Sequence, residues 1–547
     1  MASSNSGNTA AGSAFDYVVV GAGSAGCTLA ARLTESGRHS VLLLEAGASD
    51  RRLWVQLPLG VGKLLNDDTY VWKTHTEPEA ELEGSKLYWP SGRILGGSSS
   101  VNGMVAVRGH PARYDAWRAT GCPGWGWDDV LPLFKKLESC AFGDPALRGR
   151  DGPISITELK GDPISDAFID ACSQSGYPRV ADYNGTNPDG AAPLQLTSRN
   201  GLRCSAAVGY LRPAMGRSNL QVVTDALATR IAFDGRRATG VHYSVGGESR
   251  LATARREVIL AAGAIRSPQL LELSGIGNAE LLRQRGIAVL ADLRGVGENL
   301  QDHLMPRITF RTNQPITVND MLASPWRFAR SLLRFVTHRD GLFATTSLTA
   351  LAYVRGRPGY PYPDIRIQSA LVSAESRFST SVKTGIDPFS GFHIGGYFLY
   401  PESRGNLHIK SKDARDAPAI HANYLSAPLD RQMIVAVLRI IRAIASQPAL
   451  AKIIVAETRP GPSVASEDEL LDYARKTGQT CWHPSGTCRM GTGPDAVVDP
   501  ELRVHGIAGL RVIDTSVMPF LTASNTNLPT IMIAEKGAEL VLKSAAE

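Results

Sequence analysis

The chain has 547 residues and a formal charge of +6, too weak a field over that length to argue for a nucleic-acid or other polyanionic partner. Hydrophobic residues at 43% and charged residues at 20% exclude disordered and fibrous classes and predict a globular chain able to bury a core without disulfide or metal staples. Its seven cysteines are an odd, scattered set that reads as no disulfide framework and fits a reducing compartment.

Residues 1–13 are small and polar, with neither a basic n-region nor an apolar h-region, so a disordered tail on a cytoplasmic protein is expected. Residues 15–20 are a β-branched run suited to a buried strand. A glycine-rich turn follows at 21–26, then helical spacing over 27–33 and a second strand at 41–45, which together make a βαβ unit. No run approaches the about 18 apolar residues of a membrane span; the best, 18–33, is broken by glycines. Residues 51–150 read as loop-rich, and strand-like segments recur at 220–223, 238–244, 257–261 and 510–514. Between 310 and 470 the texture shifts to strands at 343–354 and 395–400 and an amphipathic helix over 430–446.

This pattern predicts an α/β chain, α+β overall: a Rossmann-like dinucleotide-binding domain interleaved with a smaller substrate domain of antiparallel sheet and helices. The expected boundaries are 14–155, 201–310 and 475–547 for the first, and 156–200 and 311–474 for the second.

In the fingerprint Gly21-x-Gly23-x-x-Gly26, Gly21 permits the tight turn, Gly23 the close approach of a pyrophosphate, and Gly26 helix–strand packing. Ser24 and Ala25 open the helix, whose free N–H groups and positive end suit phosphates. Glu45, 19 residues after Gly26, would accept from ribose hydroxyls and repel a 2′-phosphate. The motif does not separate FAD from NAD. No second such fingerprint is found, which leaves one dinucleotide per chain.

Two further segments concentrate small residues. One, 92–103, carries Arg93, Gly97, Asn102 and Gly103 and suits an anionic or polyhydroxy ligand; the other, 263–277, follows a strand and opens a short helix. Position for position these two resemble the signature motifs of the glucose–methanol–choline (GMC) flavoprotein oxidoreductases, and the resemblance runs from residue 15 to the C-terminus. It implies FAD as the cofactor, with Arg93, Gly97, Asn102, Gly103, Met104 and Val105 along its pyrophosphate and flavin and Ala228 at the adenine. Ala46, Trp482, Asp514, Thr526, Asn527 and Thr530 complete the cofactor set that the resemblance implies. Val101 stands where some members tether the flavin through a histidine, so non-covalent FAD is expected.

Of 11 histidines, His483 lies in Cys481-Trp-His-Pro-Ser-Gly-Thr-Cys488, which resembles the family's C-terminal active-site segment. By register Asn525 is the second active-site residue, with Asn527 as the next choice. A histidine near neutral pKa can take the hydroxyl proton of an alcohol while an amide N–H steadies the alkoxide and the flavin takes the hydride. The implied reaction is oxidation of a primary or secondary alcohol to an aldehyde or ketone, in a branch resembling bacterial alcohol, choline and sorbose dehydrogenases. Its electron acceptor is O2 or a quinone or artificial acceptor, with a lean towards a dehydrogenase or a mixed activity. Two rivals share the scaffold: a redox-silent hydroxynitrile lyase, and a fatty-acid photodecarboxylase, against which His483 and Leu399 both speak. No metal is expected, since Cys481, His483 and Cys488 have unusual spacing and no evident fourth ligand.

Overall fold

The computed structural model describes residues 14–546 except 377, 378 and 380; the expected tail at 1–13 lies outside them. Two sheets organise the chain. The first runs Leu220–Val223, Val41–Leu44, Ala14–Val20, Glu248–Leu260, Arg237–Val245, Ala226–Asp234, with Leu510–Val512 also against Glu248–Leu260. Its members on the Leu220–Val223 side are parallel, with Val18 opposite both Leu42 and Val258; the last three form an antiparallel meander. Strand Glu248–Leu260 serves both halves, pairing antiparallel through residue 253 and parallel beyond it. Its first half alternates exposed and buried side chains, whereas its last three residues are fully buried. Only the apolar end reads as a strand from composition, which is why the sequence predicts 257–261 and misses the rest.

The second sheet is antiparallel, in the order Ile454–Arg459, Arg307–Thr312, Gly391–Phe398, Ile365–Ala370, Leu348–Val354, Gly190–Pro193. Helix Pro428–Ala445 lies across it, burying Met433, Ile434, Val437, Leu438 and Ile441 at helical spacing. Three expectations need correction. Residues 51–150 hold helices Pro111–Ala119 and Trp127–Leu137 as well as loops; scattered Gly, Pro and Trp mask their buried stripe of Tyr114, Trp117, Val130 and Phe134. The expected strand at 343–354 begins only at Leu348, because Leu342–Ala344 forms a single 3-10 turn. Helix Pro325–His338 was not foreseen, and Phe335 is its sole buried residue.

The C-terminal helix Asn527–Ala546 packs on the N-terminal helix Ser24–Leu33. A buried carboxylate fastens them: Glu535 accepts from Arg32 at 2.8 Å, from Tyr210 at 2.7 Å and from Lys136 at 3.1 Å. The two helices begin together, since Ser24 Oγ donates to Asn527 Oδ1 at 2.8 Å, so two positive helix ends meet at one place. Among the described residues no helix is long and apolar enough to cross a membrane.

Candidate active site

The C-terminal ends of the parallel strands open into a long cleft. Backbone crowding shapes its floor. A Cβ on Gly26 would lie 1.8 Å from the Gly21 carbonyl oxygen, and one on Gly97 would lie 2.7 Å from Gly23 Cα, so the two glycine-rich segments touch main chain to main chain. Glu45 accepts from the Ala22 and Gly47 N–H groups at 2.8 Å each, and burial pushes its carboxyl up to about 7. Asp514 accepts from the Gly263 N–H at 2.8 Å and Ser267 Oγ at 2.6 Å, pinning the third glycine-rich segment. Asn102 Oδ1 accepts from the Met104 N–H and from buried Arg203, whose guanidinium burial lowers to about 9.

Gly21, Gly23, Ser24, Ala25, Glu45, Ala46, Gly97, Asn102, Gly103, Met104, Val105 and Ala228 line this cleft, as do Trp482, Asp514, Thr526, Asn527 and Thr530. Gly26 and Arg93 do not. Gly26 is consumed by packing, and the Arg93 guanidinium lies 4.9 Å from the Trp72 ring. A second arginine, Arg266, covers the same ring at 4.1 Å and does line the cleft. Burial and the Arg93 charge push Arg266 down to about 10, a setting that favours an anionic neighbour. The sequence reading missed Trp72, which stands in no glycine-rich frame, and Arg266, which sits inside the third glycine-rich segment but is not singled out by its spacing.

At one end of the cleft a hydrogen-bonded chain crosses both sheets' territory. His303 Nε2 lies 3.2 Å from the Leu399 carbonyl, which can only accept, so Nε2 carries the proton. Burial pushes His303 down to about 3, so it is neutral and its Nδ1 is bare. That nitrogen is 3.0 Å from His483 Nδ1, which must therefore donate. At the far end the Arg366 guanidinium, a pure donor, bonds Asn525 Oδ1, which turns the Asn525 amide nitrogen towards His483 Nε2 at 2.8 Å. The two ends of known polarity thus leave His483 Nε2 as an unprotonated acceptor facing Asn525, and both line the cleft. Asn527 is engaged elsewhere, with Ser24.

Local structure sets these residues. Leu304–Met305 pairs antiparallel with Gln479–Thr480, and Gln301 and Ser485 exchange both backbone bonds at 3.1 Å, which zips the segment bearing His303 to the one bearing His483. Between them Asp302 accepts from the His483 N–H at 2.7 Å and from the Tyr424 and Thr480 hydroxyls; burial pushes it up to about 6. Arg366 is the second residue of strand Ile365–Ala370 and also donates to Ser524 at 2.7 Å, Tyr397 at 2.9 Å and Gln368 at 3.0 Å. Non-glycine residues with positive φ mark the same corner: Met104 (59°), Trp482 (59°) and Ala523 (71°). Each such position costs on the order of 1 kcal/mol or more and persists only where its surroundings dictate it.

The chain matches the GMC oxidoreductase family over residues 15–305 and again over 401–534. It belongs to that family. This GMC oxidoreductase is 42% identical over 539 residues to the oxygen-dependent choline dehydrogenase of Photobacterium profundum, covering 96% of this chain and 93% of the relative. It is 41% identical over 542 residues to the mitochondrial choline dehydrogenase of Homo sapiens, covering 96% and 89%. Among solved structures it is similar to pyridoxine 4-oxidase from Mesorbium loti, with a TM-score of 0.86, 31% identity and coverage of 96% and 98%. It is likewise similar to formate oxidase of Aspergillus oryzae, with a TM-score of 0.90, 26% identity and coverage of 98% and 100%. The chain is accordingly an FAD-dependent oxidoreductase acting on CH–OH donors. Its cleft fits that cofactor: two helix N-termini, glycines that no side chain could replace, and Arg266 over Trp72 together suit a pyrophosphate.

Replacing Asp302 by Ala strips the acceptor from three buried donors. The variant is expected to lose about 3–5 kcal/mol of stability, read as a lowered thermal midpoint of the holoenzyme.

Proposed function

We propose that this enzyme oxidises an uncharged primary or secondary alcohol to the aldehyde or ketone, with His483 as the base and Asn525 as its partner. The observation that carries this is the bare Nε2 of His483, held beside an amide donor at the end of the cofactor cleft. An alcohol that inserts between the two groups replaces their direct hydrogen bond: its hydroxyl proton passes to Nε2 and its oxygen accepts from the Asn525 amide, so the oxygen gains negative charge against a fixed dipole. The Arg366 guanidinium behind Asn525 polarises that amide and adds a positive field. Bound FAD supplies the acceptor for the carbon-bound hydride. His483 releases its proton to solvent, while His303, held neutral, keeps the ring in the same orientation throughout.

The cofactor residues proposed are those lining the cleft, together with Arg266; Gly26 acts through backbone packing and Arg93 through its stack on Trp72. We propose non-covalent FAD, because the position expected to bear a tethering histidine is Val101, buried among Val55, Leu64, Val71 and Ile94.

Choline, named for the curated relatives, is not carried over. Arg366, behind Asn525, is fully buried and has no ion pair among the described residues, so its positive field reaches the end of the cleft that takes the alcohol. A cation beside an unpaired buried cation is repelled by several kcal/mol.

Two outcomes are expected. His483→Ala stays folded and yellow, while anaerobic bleaching of its visible absorbance by alcohol slows about 10²–10⁴-fold; an unimpaired rate removes His483 from the role. Across a panel assayed with an artificial acceptor, kcat/KM for choline is expected at least about 100-fold below that of the best uncharged alcohol. Choline as the best substrate would refute the charge argument and leave the base untouched.

A further inference from the structure

Exposed apolar side chains are concentrated in one region of this protein. Of the eleven large ones among the described residues, eight fall within 53–54 and 322–336, led by Trp326 at 75% exposure, Leu53 at 69%, Leu333 at 63% and Val336 at 59%. The two segments share a base: Leu57 and Phe335 belong to one buried cluster with Val318, Met321, Phe343 and Ala344.

Helix Pro325–His338 is the centre of this region. At about 100° per residue its apolar residues fill one half of the helix circumference. Phe335 and Phe328 occupy the edge that meets the protein, where Phe328 packs edge-on to Phe343 with ring centroids 5.4 Å apart. Leu332, Val336, Leu333 and Trp326 continue the same arc into solvent. Arg330, Arg334 and Arg327 follow on the next arc. A 14-residue helix draws most of its stability from the face it buries, and this one buries little more than a single ring.

The charge is one-sided. Helix Pro325–His338 and residues 51–65 contain no acidic residue. Arg51, Arg52 and Arg330 have no ion pair among the described residues, and Lys63 rests on the Trp54 ring at 4.6 Å. Flanking acids meet only Arg327, through Asp320 at 3.2 Å, and Arg334, through Asp340 at 2.6 Å. Tryptophan and leucine at the crest, with arginine stems along the margin, match the layered polarity of a lipid headgroup region. A second copy fits poorly, because helix Pro325–His338 and residues 51–65 hold no acidic residue to answer Arg51, Arg52 and Arg330 across a two-fold contact.

We propose that residues 51–54 and helix Pro325–His338 form a docking face for an anionic lipid bilayer, on which the protein lies peripherally. From the helix the chain runs directly to the cofactor cleft, where Thr346 donates to the Gly103 carbonyl at 3.1 Å. Docking there places the cleft next to the lipid, which would supply an apolar alcohol or a lipid-soluble electron acceptor.

The test is sedimentation of the holoenzyme with vesicles of phosphatidylcholine alone or mixed with phosphatidylglycerol, at low and high salt, alongside analytical ultracentrifugation without lipid. The wild type is expected to pellet with the anionic vesicles and to be released as salt rises. The double variant Trp326→Ser/Leu333→Ser is expected to partition at least about tenfold less, with unchanged thermal midpoint and unchanged turnover of a water-soluble alcohol. Arg51→Glu/Arg330→Glu should lose the preference for anionic lipid. Binding to neither vesicle, equal binding by wild type and variants, or equal binding to both lipid mixtures would overturn the proposal. So would a lipid-free dimer that the Trp326→Ser/Leu333→Ser variant dissociates.

Discussion

The site depends on a hydrogen-bond chain whose two ends have opposite and unalterable polarity. The Leu399 carbonyl can only accept and the Arg366 guanidinium can only donate. Every proton between them is then assigned, through His303, His483 and Asn525, without reference to pH as long as His303 stays neutral. Burial secures that neutrality, since charging His303 would place a second cation in the same apolar corner as Arg366. What reaches the cleft is one unprotonated imidazole nitrogen, accepting from the Asn525 amide. The cost is a guanidinium buried without a carboxylate, an arrangement that favours anionic charge on whatever occupies the space before it.

Bringing that chain together explains the interleaved architecture. Its members lie at 303, 366, 399, 483 and 525, on a ladder segment, a central strand, a strand end and the approach to the C-terminal helix. No single contiguous unit supplies them. The first sheet fixes the cofactor cleft and, through Glu535, the C-terminal helix that carries Asn527 to Ser24. Arg366 and Leu399 reach the same corner from the second sheet. Arg366 and the proposed base His483 therefore come from different elements, a strand of the second sheet and the loop after the Gln479–Thr480 ladder, and can change separately.

What the sequence discloses and what it hides divide along range. The cofactor turn, the two glycine-rich segments, His483 and Asn525 are legible because each sits in a short contiguous pattern whose residue types have local mechanical reasons. His303, Asp302 and Arg366 are not, since their roles exist only across pairings such as 180 residues between the two histidines. One signal was available: Gln301, Asp302 and His303 stand between Leu300 and the pair Leu304-Met305, and all three are buried. A buried polar triplet implies a partner. Helix Pro325–His338 is a different case: its apolar residues keep to one half of the circumference and its arginines to the next arc, so its period stands in the sequence and was not read there. The same arginines are what give that helix its one-sided charge.

The central claim concerns where one proton sits, so the most direct measurement is the nitrogen resonance of His483 in holoenzyme labelled with ¹⁵N-histidine, assigned by comparison with the His483→Gln and His303→Gln variants. At neutral pH the account predicts a protonated Nδ1 and a bare Nε2 on His483, together with the opposite tautomer on His303. A His483 ring protonated at Nε2, or carrying both protons in the resting enzyme, would contradict it.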